Sequence, residues 1–154
     1  MTDPLVHPHK ELTTPAGDQV NIDLAMVPLI ETLWNRGLTT TACCQDVGEA
    51  TRAVRNAQGI TEGYMGEDFI AYYTGWALLK MPCADALRLL AALRTVPLFA
   101  ARIEPRWQEQ SWRMNVPIIY GQGLVDLAPD AMLHFPSAQI PELAQALTSI
   151  HVRS

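Results

Sequence analysis

Two stretches of the chain carry nearly the same pattern. "ALLKMPCADALRLLAAL" at 77–93 aligns without a gap on "AMLHFPSAQIPELAQAL" at 131–147. Ala77, Leu79, Pro82, Ala84, Leu89, Ala92 and Leu93 recur as Ala131, Leu133, Pro136, Ala138, Leu143, Ala146 and Leu147. In each copy an apolar run ends at a proline and an amphipathic segment opens within a residue or two. Proline suits that junction, because the first N–H groups of a helix have no intrahelical partner to lose. Two strand–Pro–helix units, at 69–95 and 131–149, predict a pseudo-symmetric α+β fold. The expected architecture is a mixed or antiparallel sheet of four to six strands with helices on one face, close to a ferredoxin-like arrangement.

The 154 residues suffice for one domain with a sizeable core. Residues 1–11 read as a loose lead-in. "ELTTPAGDQVNI" then reads as a hairpin around the turn residues Pro15 to Asp18. Asp23 is placed to cap a helix that ends near Arg36, with Val27, Ile30, Leu33 and Trp34 as its apolar stripe and Gly37 as its stop. Pro28 delays the regular part of that helix. Leu38 to Cys44 is β-branched and apolar, which predicts an interior strand. Asp46 and Glu49 have capping-box spacing for a short helix that runs to Gly59.

Phe69 to Met81 gives the longest strand signal. "ARIEPRWQEQSWRMNVPIIY" predicts a hairpin with Trp107 opposite Trp112 and Arg106 opposite Arg113, its arginines together on one face. "GQGLVDLAPD" reads as a long loop to the last strand.

Charge narrows the function. The net charge is −5 with only 11 lysines and arginines, which argues against a nucleic-acid partner. Charged residues make up 18% of the chain, below the usual quarter, and a surface so neutral favours self-association into a homo-oligomer. No apolar run approaches a membrane span, "MTDPLVHPHKEL" has no signal-like pattern, and the three cysteines form no disulfide framework. The expectation is a cytoplasmic protein without membrane contact.

Cys43 and Cys44 close the Thr-rich strand, and alternation points them to opposite faces. At most one fills the core, and alternation does not say which. The other would stand with Gln45 and Asp46 just before a helix N-terminus, whose dipole favours a thiolate, and Cys44 is the candidate. Asp46 and Glu49 oppose that ionisation. A nucleophilic cysteine also needs a base, and His134, at the end of the last strand, is the histidine placed to approach it. The blander reading is small buried thiols and a satisfied histidine. Arg102, Arg106 and Arg113 could clamp a carboxylate or phosphate, with Trp107 and Trp112 as a flat contact surface.

No metal site is expected. His7 and His9 on a loose tail lack fixed geometry, adjacent cysteines do not readily share one ion, and no C-x₂-C spacing exists. No nucleotide or other cofactor motif is present, since "GQG" lacks its strand–helix setting.

The run "IDLAMVPLIETLWNRGLTTTACCQD" (22–46) resembles the opening of small uncharacterised bacterial and phage-type proteins with a Pro-Leu-Ile helix and a G-x-x-T-x-x-(S/C)-C-Q strand. It is also similar to the N-terminal pattern of wybutosine-type tRNA methyltransferases. There, Ser-Gly-Arg stands where this chain has Gln45-Asp46. The resemblance implies an α+β fold and draws attention to Cys44 and Gln45; it implies no activity.

Two expectations follow. The first is a non-catalytic module that binds a small polar or anionic molecule, or a protein partner. Its rival is a small enzyme using Cys44 with His134 and Asp46.

Overall fold

The computed structural model describes residues 6–60, 65–104 and 108–154. Its centre is an antiparallel four-stranded sheet in an α+β fold. β3 (Ala42–Cys44), β4 (Trp76–Pro82), β8 (Asp130–Pro136) and β5 (Arg113–Asn115) lie in that order across it. The two proline-ended strands are the central pair, and their register sets Leu79 directly opposite Leu133. Each then turns into a helix. α4 (Cys83–Leu93) starts at once, while α6 (Ile140–Ser149) follows one 3-10 turn.

Period-two alternation explains the burial. Ala77, Leu79 and Met81 share a face with Ala131, Leu133 and Phe135, and all six are buried. Against that face pack α1 (Val27–Asn35), α4 and α6 through Ile30, Leu33, Leu89, Leu93, Leu143 and Leu147. Phe99 of α5 (Pro97–Ile103) closes one end. At roughly 1.5–3 kcal/mol for each large apolar side chain removed from water, this layer dominates the folding energy. The opposite face carries Trp76, Leu78 and His134 and meets α3 (Glu67–Tyr73), which packs on α2 (Val47–Gln58). Away from the sheet, β1 (His9–Thr13) pairs with β2 (Gln19–Asp23), and β6 (Ile118–Gly121) pairs with β7 (Leu124–Leu127).

Several expectations are corrected. The lead-in ends early, because β1 begins at His9 and His7 is already buried. Asp23 precedes a 3-10 turn but makes no side-chain cap; its carboxylate is used elsewhere. β3 is a three-residue edge strand rather than a long interior one. The 69–81 run divides: Phe69–Tyr73 is helical, and Gly75, at φ +81°, makes the corner before β4.

The hairpin expected over 101–120 does not form. Residues 97–103 are helical, with Pro97 in the first turn and Phe99 facing the core, and Arg113–Asn115 pairs with β8 instead. Arg106 and Trp107 lie outside the described residues. The "GQGLVDLAPD" loop holds a strand of its own, with Gln122 and Gly123 both at positive φ in a two-residue turn.

Candidate functional site

Several polar side chains meet where β3 runs into α2. Asp46 is 9% exposed and fixes this junction from both sides. Its Oδ1 accepts from the Glu49 N–H at 3.0 Å and caps α2, while Oδ2 accepts from the Gly75 N–H at 2.8 Å. Both oxygens of Asp46 are therefore held by backbone N–H groups. Gln45 is also tied down. Its N–H donates to Asp23 Oδ2 at 2.8 Å, its Oε1 accepts from the Ala25 N–H at 3.3 Å, and its carbonyl accepts from Ser137 Oγ.

Alternation orients the two thiols as expected. Cys43, opposite Leu79, packs on the core, whereas Cys44, opposite Leu78, faces away from it. Cys44 meets His7. The imidazole Nδ1 lies 4.0 Å from Cys44 Sγ and 3.1 Å from Asp23 Oδ2, and Nε2 lies 3.3 Å from Glu49 Oε2.

The β1–β2 register builds this cluster. His9 pairs with Asp23, so His7, two residues earlier, folds back over the Asp23 carboxylate, and the Gln45 N–H draws the same carboxylate to the end of β3. His7 is not legible as a fixed site residue while the first residues read as a loose tail. The alternation of the β1–β2 hairpin was the available signal.

The Cys44 thiol is pushed up to about 12, first by burial and then by the charges of Asp23 and Asp46, which together outweigh the backbone N–H of Asp46 that favours the thiolate. Cys43 is also pushed up to about 12, mainly by burial. The helix N-terminus does not overcome these effects.

His134 is not near Cys44. Cys44 pairs with Leu78 and Leu78 pairs with His134, so two strand spacings, about 10 Å, separate the pair. His134 is 4% exposed, with the Tyr73 ring centroid 4.5 Å away. Burial, aided by the Arg113 charge, pushes it down to about 4. The structure therefore does not bring the expected nucleophile and base together.

The arginines are engaged as well. Arg113 donates to the Tyr72 carbonyl at 2.7 Å, and its guanidinium carbon lies 3.6 Å from the ring centroids of both Tyr72 and Trp76. Arg102 pairs with Glu142. Trp112 stacks on Phe135 at 4.8 Å between centroids and donates its indole N–H to Gln139 at 2.9 Å. The expected open clamp of Arg102 and Arg113 beside Trp112 is thus a set of packing contacts.

The β6–β7 hairpin is the opposite case. Its register puts Ile118 beside Leu127 and Tyr120 beside Val125 on one face, and these side chains are 54, 62, 76 and 69% exposed. Leu124 and Ile119, on the other face, are exposed too. No described helix is long and apolar enough to cross a membrane. Compared with known protein families, curated proteins and solved structures, the chain finds no match in any of the three.

Proposed function

We propose that this chain is a small non-catalytic binding module that works as a homodimer, the partner being a second copy docked on the apolar face of the β6–β7 hairpin. The observation that carries the reading is that face, with Ile118, Tyr120, Val125 and Leu127 side by side and each more than half exposed. A lone two-stranded hairpin is marginal in water and gains stability from a packed face or further strands. A twofold axis supplies one by laying the face against its own copy, which needs no complementary chemistry from another protein. Charge does not oppose this contact. Asp126 is the one charged residue of the hairpin, sits on the opposite face, and accepts from the Leu127 N–H.

The area suits a weak dimer. A fully buried aliphatic side chain removes roughly 60–120 Å² from water at ~25 cal/mol per Å², and a tyrosine about 200 Å². Scaled by their exposure, the four face residues contribute roughly 250–400 Å² per copy, about 500–800 Å² for the pair, which is the range of weak, transient contacts. A dimer that forms only toward high micromolar concentration is the expected strength.

The chemistry beside β3 supports binding rather than turnover, since Cys44 is held as a thiol and His134 stands two strands away. Three free cysteines fit a cytoplasmic setting. We also take the two proline-ended strands and their helices as an internal repeat, with the Leu79–Leu133 pair at its local twofold.

Sedimentation velocity across the micromolar range tests the reading. The wild type should pass from monomer to dimer with concentration, and Tyr120→Lys with Val125→Lys should hold the chain monomeric with unchanged circular dichroism. A wild type that stays monomeric, or a double variant that dimerises equally well, refutes it.

A further inference from the structure

The pairwise contacts of His7 leave one nitrogen facing two groups. A neutral imidazole carries a single N–H. His7 meets a carboxylate at each nitrogen, Asp23 Oδ2 at 3.1 Å from Nδ1 and Glu49 Oε2 at 3.3 Å from Nε2. In the tautomer with its N–H on Nε2, the Nδ1 lone pair would face Asp23 Oδ2 and, at 4.0 Å, Cys44 Sγ, an arrangement of acceptors that a cation between them would stabilise. A nitrogen, a carboxylate oxygen and a sulfur then converge, all within 4.8 Å of one another.

We propose that His7 Nδ1, Asp23 Oδ2 and Cys44 Sγ form a three-ligand site for a borderline-soft divalent cation of the zinc class, with the fourth position left to water or a ligand.

The dimensions fit. Tetrahedral zinc with Zn–S of about 2.3 Å and Zn–N and Zn–O of about 2.0–2.2 Å places its ligand atoms roughly 3.4–3.6 Å apart. The distances to Nδ1 are 3.1 and 4.0 Å and the third separation lies within 4.8 Å, so closing around an ion takes side-chain shifts of up to about an ångström. The surroundings also fit. A metal-bound histidine commonly donates its other N–H to a carboxylate, and Glu49 occupies that place. The Gln45 N–H donates to Asp23 Oδ2 at 2.8 Å and steadies that carboxylate.

His7 is buried and Asp23 and Cys44 are half-buried, so the ligands sit on fixed backbone near the surface. The donor set of one nitrogen, one sulfur and one oxygen disfavours calcium and magnesium, which take six or more oxygens. Binding forms three metal–ligand bonds and releases the Cys44 proton to solvent.

The site is separate from the hairpin, so it stands or falls independently of self-association. The test uses the full, reduced chain after chelation, titrated with Co²⁺ and with Zn²⁺ against a chromophoric chelator. One equivalent should bind, and Co²⁺ should produce thiolate-to-metal charge-transfer and tetrahedral d–d bands. Cys44→Ser and His7→Gln should remove these bands, whereas Cys43→Ser and Cys83→Ser should keep them. Glu49 is 61% exposed, so Glu49→Gln should fold normally and weaken binding by roughly ten- to a hundredfold. That variant decides the matter if Cys44→Ser misfolds. Absence of uptake by the wild type, a thiolate band that survives in Cys44→Ser, or an unchanged affinity in Glu49→Gln overturns the proposal.

Discussion

Acidification should remove a definite part of the stability through His134. Its ring is 4% exposed, and its Nδ1 finds no hydrogen-bond partner among the described residues. Burial and Arg113 lower its pKa from 6.5 to about 4. The unfolded chain therefore takes up a proton at higher pH than the folded chain does. The stability that depends on a neutral His134 is complete above 6.5, declines as the pH falls, and is exhausted below about 4. At 1.36 kcal/mol per pH unit the full effect is about 3 kcal/mol, of which about 2 is lost between pH 7 and roughly 4.5.

Carboxylates titrate in the same window, so the comparison must isolate the histidine. Urea denaturation of the wild type and of His134→Phe at the two pH values does so, because phenylalanine keeps an aromatic ring against Tyr73 and carries no proton. The wild type should lose about 2 kcal/mol more than the variant on acidification. Parallel losses would refute the assignment of a buried, neutral His134.

Two further outcomes follow from packing. At Gly48 an added Cβ would lie 2.3 Å from Thr74 Oγ1, 2.4 Å from its N and 2.5 Å from its Cα, and two of those atoms are backbone. Gly48→Ala should therefore push α2 away from the α3–β4 corner, cost about 2–3 kcal/mol and lower the Tm by roughly 5–10 °C in thermal denaturation; an unchanged Tm contradicts the close approach. Arg113→Ala should cost about 1–2 kcal/mol in urea denaturation by emptying the space against Tyr72 and Trp76. Removing its charge should also raise the His134 pKa, which NMR titration would follow.

The parts of the fold that were legible rest on local signals. The stripe of Val27, Ile30 and Leu33, with Gly37 at φ +73°, marks α1, and the Asp46–Glu49 spacing marks the start of α2. Pro82 and Pro136 mark two strand–helix junctions. What failed needed long-range information. "PLFAARI" and "EDFIAYY" are short and aromatic, and such runs suit a strand or a buried helix equally until the core chooses. In both, Phe99 and Ile70 are buried by tertiary packing that no local pattern encodes.

The site divides in the same way. The opposed faces of Cys43 and Cys44 follow from strand period alone. Which histidine meets Cys44 depends on how the β1–β2 hairpin folds back beside β3, so His7 was set aside and His134 was expected instead. Arg113 reads locally as part of a charged face because its stacking partners, Tyr72 of α3 and Trp76 of β4, lie about forty residues away in sequence, beyond any helical or strand period.

The non-catalytic part of the proposed function depends on Cys44 remaining a thiol. The direct measurement is iodoacetamide alkylation of the native, metal-free protein as a function of pH, with each cysteine resolved by peptide mass mapping. With the thiol pushed up to about 12, Cys44 should stay nearly unmodified at neutral pH and gain reactivity only in strongly alkaline solution. Half-maximal reactivity of Cys44 at or below about pH 8 would show a thiolate stabilised beside the helix and would contradict the account.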